Sequence, residues 1–253
     1  MSKFPYKLGK KRARRDSRNI RLKAVLRVVL PPIPEIFNVD SSLPAPIPTP
    51  MFANDQWGDC VIAARAHQTL RFESIEQRKA LSITDDEVLA EYWKEGKVFP
   101  CDRKPDRGLV LLESLKKWRN QGWVAGGQQH DIYAFAEILP ADMMDVKASI
   151  FLLAGTTAGI MVSQSALDQF EVGLEWDLVD NPGQLRGGHA IDLVGYDLDG
   201  PICVTWGKLQ HMTWRFWNQY CDEAYGIVDN RDRFLEHSPV DVNRLESYLK
   251  EIT

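Results

Sequence analysis

Two residues offer chemistry first. Cys60 lies in NDQWGDCVIAARAH, residues 54–67, and His189 lies in RGGHAIDLVGYD, residues 186–197. A thiol in the first turn of a helix feels the positive end of the helix dipole, which favours the thiolate. The polar, glycine-containing stretch before Cys60 and the apolar run VIAARA after it mark such a helix start. His189 opens a strand directly after two glycines, where an imidazole can face an opening and move a proton. Read singly, a buried inert cysteine and a structural or solvated histidine are ordinary outcomes. Together they form the arrangement of a thiolate–imidazolium nucleophile, with cysteine at a helix N-terminus and histidine on a downstream strand.

The other candidates read as structural. Cys101, Cys203 and Cys221 are widely spaced, with no CxxC pair and no histidine at ligand spacing, so a zinc site is not expected. Without a secretory signal they are expected to be free thiols. His67 falls seven residues after Cys60, on the same helix face, and is expected to be a satisfied or exposed helix histidine. Asp192, between apolar strand neighbours, reads as a cleft acid or a partner for a basic group, and the structural role is preferred. TWRFWNQY, 213–220, has helical spacing and reads as core packing.

The elements that must position the pair follow from periodicity. Residues 31–50, PPIPEIFNVDSSLPAPIPTP, hold too much proline for a helix or a central strand and predict an extended surface segment. Helices are predicted over 60–78, over 84–95 with Thr84 at the N-terminus, and over GLVLLESLKKWRNQGW up to Gly122. A loop holding Cys101 separates the last two. After residue 125 the texture changes. AEILPADMMDVKASIFLLAG predicts a short strand and then a helix. TTAGIMVSQSALDQF, HAIDLVGYD, PICVTWG and AYGIVD predict strands, with DLDG as a tight turn. Helices first and strands last predict two lobes with a cleft between them.

The chain of 253 residues is long enough for one large domain or two small ones sharing a cleft. Its composition, 44% hydrophobic and 26% charged, is that of an ordinary globular protein. No apolar stretch reaches the roughly 18–20 residues needed to span a bilayer. AVLRVVL, 24–30, is too short for a span and carries an arginine. A cytoplasmic protein without membrane contact is expected. Charge is uneven: residues 1–27 carry eleven Lys and Arg against Asp16 alone, a balance of +10, so with a net −4 overall the remainder stands at −14. Such an arm either binds an outside polyanion or lies across its own acidic body. The second needs no partner and is preferred, because the arm lacks the interleaved aromatics of a single-strand binder.

From about residue 36 the chain resembles the papain-like cysteine peptidases. FNVDSSLPAPIPTPMFANDQWGDCVIAA is similar to the family's opening, LSITDDEVLAEYW to its LSEQ stretch, and DRGLVLLESLKKWRNQGW to its second cleft helix. GGHAIDLVGYD is close to DHAVLVVGYG, and VTWGKLQHMTW resembles NSWG…WG. The resemblance implies an α+β fold of two lobes, an N-terminal helical lobe (36–125) and a C-terminal antiparallel β lobe (126–253), preceded by a basic arm (1–35). It implies Cys60 as nucleophile, His189 as general base and acid, and Trp206 as the tryptophan shielding the histidine. No cofactor or metal is implied, and the partner would be a peptide or protein substrate.

Three positions depart from the pattern. Asn54 stands where the family has its oxyanion glutamine, with Gln56 the other amide nearby. Val61 follows the cysteine in place of tryptophan. Val204 aligns with the asparagine that orients the histidine; Thr205 beside it is the substitute, although regular pleating turns it to the opposite face from Val204. Two other functions therefore stand beside a cysteine-dependent hydrolase of peptide or isopeptide bonds. One is an inactive papain-like binding protein; the other is a protein whose basic arm docks to a polyanion or a larger assembly. A short arm lying over the cleft as a strap is a variant of the first reading.

Overall fold

The computed structural model describes residues 5–43, 45–77, 81–97, 106–230 and 238–251. It is an α+β fold of two lobes on either face of one antiparallel sheet. In chain order the elements are α1 (Leu22–Val25), β1 (Phe37–Asn38), α2 (Cys60–Gln77), α3 (Asp85–Gly96), α4 (Leu111–Gln121), β2 (Trp123–Ala125) and β3 (Gln128–His130). Then follow β4 (Ala134–Ile138), α5 (Met143–Leu153), β5 (Thr156–Ser163), α6 (Gln164–Glu171), β6 (Leu185–Tyr196), β7 (Pro201–Thr205), β8 (Lys208–His211), α7 (Trp214–Tyr220), β9 (Cys221–Val228) and α8 (Val242–Glu251). The sheet runs β4-β9-β5-β6-β7-β8, with β1 added to β6 and every pairing antiparallel.

The period of two along β6 divides the cores. Ala190 and Val194 face the helical lobe, whereas Ile191 and Leu193 face the core built with α1, α5, α6, α7 and α8. Helix α2 is buried at every residue from Cys60 to Phe72, so it has no solvent face, as expected of a core helix. Its two buried arginines must then be paired. Arg65 binds Glu95 at 2.5 Å and Ser114 Oγ at 2.5 Å. Arg71 binds Asp192 at 2.6 Å and Asp40 at 2.6 Å. The latter cluster ties α2, which carries Cys60, to β6, which carries His189, and gives Asp192 the partner its setting required.

Most predicted elements are present. The structure describes the 60–78 helix to Gln77, and residue 78 lies outside the described residues. Thr84 caps α3 through a reciprocal capping box with Glu87, and Gly122 closes α4 at φ 62°. TTAGIMVSQSALDQF is not one strand. It breaks at Ser163, whose hydroxyl accepts from the Ala166 N–H and starts α6. Residues 20–26 of the basic arm are not surface chain, since Ile20, Leu22, Val25 and Leu26 belong to the β-lobe core. Cys60, Cys203 and Cys221 are free thiols, while Cys101 lies outside the described residues.

Candidate active site

Cys60 occupies the first turn of α2, and the Asp59 carbonyl accepts the Ile62 and Ala63 N–H groups. Its thiol is buried and receives the Ala190 N–H at 3.4 Å. His189 is also buried, on β6 one residue before Ala190. Both line one small cavity of about 10 Å³, together with Asn54, His67, Thr205 and Trp206. The structure thus brings Cys60 and His189 together, with Asn54, Thr205 and Trp206 on the same wall.

His189 is held from two sides. Its Nε2 lies 2.6 Å from Thr205 Oγ1, and its ring stacks on Trp206 at 4.1 Å and 23°. The imidazole's Nδ1 is buried with no hydrogen-bond partner among the described residues. Strand parity explains why threonine, not Val204, reaches the imidazole. The register Asp192↔Val204 places Val204 on the helical-lobe face, where it packs in that core. His189 shares the opposite face with Ile191, and Thr205 lies on that face too. Trp206 and Gly207 then form the β7–β8 turn, with φ of 42° and 81°. A two-residue hairpin turn asks for positive φ at both central positions. Tryptophan at positive φ is a strained choice, and from this turn its ring lies on His189.

The remaining candidates separate. Asn54 is buried at the cavity wall, but both of its amide protons are in use, donated to the Trp57 carbonyl at 2.9 Å and Asp59 Oδ1 at 2.8 Å. Gln56 is exposed and lies off the cavity lining. His67 is neither exposed nor fully satisfied: it is buried against Phe52, with Nδ1 unpartnered. A 3.6-residue period placed it on the Cys60 face, but exposure cannot be read from one helix whose every side is covered.

The N-terminal arm closes the cleft. Lys7 N–H donates to the Asn54 carbonyl, Lys10 N–H to the Gly188 carbonyl, Lys11 N–H to the Leu109 carbonyl, and Leu109 N–H to the Gly9 carbonyl, all within 2.7–3.0 Å. Tyr6 stacks on Trp206 at 5.4 Å. Gly9 passes over the nucleophile, and its N–H also faces the thiol. A Cβ on Gly9 would stand 1.8 Å from the Gly58 carbonyl oxygen, so only glycine fits there. The wall it passes is pinned: Asp106 accepts from Gly58 N–H at 2.9 Å and from the Tyr92 hydroxyl, which accepts from Gly108 N–H at 2.9 Å.

Closure sets the electrostatics. Burial pushes the Cys60 thiol up to about 11, against the opposing pull of the Ala190 and Gly9 N–H groups. Burial, with the Lys10 charge behind it, lowers His189 to about 3. At neutral pH the covered pair is therefore a neutral thiol beside a neutral imidazole. Among the described residues no group of three or more His, Cys, Asp or Glu could hold a metal ion, and no helix is long and apolar enough to cross a membrane.

The fold is that of the papain-like cysteine proteases. The chain is similar to xylellain, a cysteine protease from Xylella fastidiosa, with a TM-score of 0.67 and 16% identity over 89% of this chain and 97% of that one. It is similar to digestive procathepsin L 3 of Tenebrio molitor larval midgut, with a TM-score of 0.60 and 11% identity over 89% and 76% of the two chains. A third likeness is to the Carica candamarcensis cysteine protease CMS1MS2 in complex with E-64, with a TM-score of 0.55 and 15% identity over 79% of this chain and 100% of that one. No protein-family model and no curated protein matches the chain.

Proposed function

We propose that this chain is a papain-like thiol hydrolase of peptide or isopeptide bonds, kept latent by its own N-terminal arm. His189 takes the Cys60 proton through Nδ1, and the thiolate adds to the substrate carbonyl carbon. The Cys60 N–H, which a first-turn residue cannot donate within its own helix, meets the developing oxyanion. Collapse breaks the C–N bond, and the imidazolium gives its proton to the leaving amine. Water, deprotonated by His189, then cleaves the thioester and releases the acid and the thiol.

One observation carries this reading. The imidazole is held at Nε2 by Thr205 and on its face by Trp206, while Nδ1 is left unpartnered in the cavity Cys60 lines. An orienting group is what the inactive-protein alternative takes to be lost with Val204, and Thr205 supplies one. The arm's Lys10 and Arg21 meet carboxylates of the same chain, which favours self-docking over an outside polyanion as the arm's resting contact.

The test is hydrolysis of a fluorescent protein substrate by full-length Gly9→Val, in which the new side chain has no room under Gly58. Turnover should appear in this variant, vanish on adding Cys60→Ala, and fall roughly tenfold to a hundredfold on adding Thr205→Val. No turnover above the Cys60→Ala background would leave the inactive binding protein as the better reading.

A further inference from the structure

Lys10 occupies a recess that looks made for a cation. Its ammonium, fully buried, lies 2.9 Å from Asp222 Oδ1, 3.0 Å from Asp222 Oδ2, 2.9 Å from Glu223 Oε1 and 3.2 Å from the Lys11 carbonyl. Room for the aliphatic stem exists because position 159 has no side chain. A Cβ there would meet Lys10 Cε at 2.5 Å and Cδ at 2.6 Å. Gly159 pairs with Ala190 across β5–β6, so the recess opens beside the strand positions that carry His189 and contact the thiol. Glu223 is steadied by the Tyr225 hydroxyl at 3.2 Å.

Near the nucleophile the arm is also held by backbone pairs through Gly188 and Leu109 and by the Tyr6 ring on Trp206. The backbone pairs read no side chain beyond the room that only glycine leaves at position 9. The Asp222/Glu223 recess is the part that reads a charge. When the arm lifts, two adjacent carboxylates lose their counter-ion. A peptide bringing a cation restores it, whereas one bringing an apolar side chain leaves buried charge unpaired.

Resting on the hydrolase reading above, we propose that this recess is the specificity pocket of the cleft and selects substrates with a lysine or arginine side chain, Lys10 being its intramolecular occupant. The arm is thus a pseudosubstrate by side chain as well as an obstacle.

The test uses the full chain with Lys10→Glu, which sets a third carboxylate in the recess and ejects the arm, and Lys10→Ser as a milder second form. Internally quenched Gly/Ala peptides carry Lys, Arg, norleucine or Glu at each position in turn. One position should favour Lys or Arg over norleucine by about a hundredfold in kcat/KM, as expected where a polar site is left unpaired by the wrong substrate. Adding Asp222→Asn and Glu223→Gln to the Lys10→Ser chain should erase that preference. Cleavage indifferent to the cation, or a preference that survives both substitutions, overturns the pocket and leaves the hydrolase standing. If no peptide is cleaved, the hydrolase fails and the recess is judged by binding alone. A fluorescent peptide of residues 5–13 should bind the Lys10→Glu chain at least tenfold more tightly than its norleucine-10 analogue. Equal binding overturns the pocket.

Discussion

Two of the buried cations, Arg71 and Lys10, are buried for different ends. Arg71 stands in the middle of α2, its side chain wholly buried between Asp192 and Asp40. Lys10 is as deeply covered but belongs to an arm, and its partner Asp222 keeps 27% side-chain exposure. Beyond Lys10 the chain is open, with Lys11, Arg12, Arg14 and Arg15 exposed. The first pair fixes the distance between the elements carrying Cys60 and His189 and cannot leave without unfolding. The second fills the cleft between them and can leave with the arm. Burial alone does not make a charge structural; the route out decides.

The largest effect that would break this comparison is on stability. Arg71→Met leaves Asp192 buried and unpaired and should cost about 3–5 kcal/mol, read by denaturant unfolding. A loss under about 1 kcal/mol would mean the brace is dispensable. Next comes the pH dependence of Cys60 alkylation. With the thiol raised to about 11, the intact chain should react about tenfold faster per pH unit up to that value. In Gly9→Val the midpoint should fall below the ordinary thiol value of about 8.5 as water returns and His189 can hold the proton, making the thiol more than about a hundredfold more reactive at pH 7.

Per pH unit, a smaller effect concerns acid. His189 and His67 are both lowered from 6.5 to about 3 by burial, so between those values the unfolded chain binds more protons. Stability should therefore fall as pH drops from about 6.5 toward 3, by roughly 1.4 kcal/mol per pH unit for each histidine. In Gly9→Val the His189 share should shrink while the His67 share persists. Smallest should be Lys10→Met, whose unfolding free energy should drop by no more than about 1–2 kcal/mol because Asp222 can rehydrate. Thiol reactivity in that variant should nevertheless rise. A loss as large as that of Arg71→Met would place Lys10 with the permanent framework.

Much of this was legible in the sequence. The helix start at Cys60, the strand at His189 and the stacked Trp206 followed from periodicity and from motif order. The residue orienting His189 was half legible. Motif alignment pointed to Val204 and set Thr205 on the opposite face; it is the register Asp192↔Val204, which the sequence does not show, that puts Thr205 on the face of His189. The arm's basic charge signalled docking on an acidic body, and its approach to the cleft was foreseen only as a strap. Its passage through Gly9 was not, because a glycine chosen for close approach leaves no periodic trace. Helix α6 was hidden by a β-branched run ending at a serine cap. The core role of residues 20–26 was masked by the charges around them.

The most direct test is the labelling of Cys60 by an electrophilic cysteine-peptidase probe at pH 7, followed by intact mass, in the wild-type chain, Gly9→Val, and Gly9→Val with His189→Ala. The account predicts slow labelling of the wild type, rapid labelling of Gly9→Val, and a collapse when His189 is removed. Labelling of Gly9→Val no faster than a model thiol, and indifferent to His189, would contradict it.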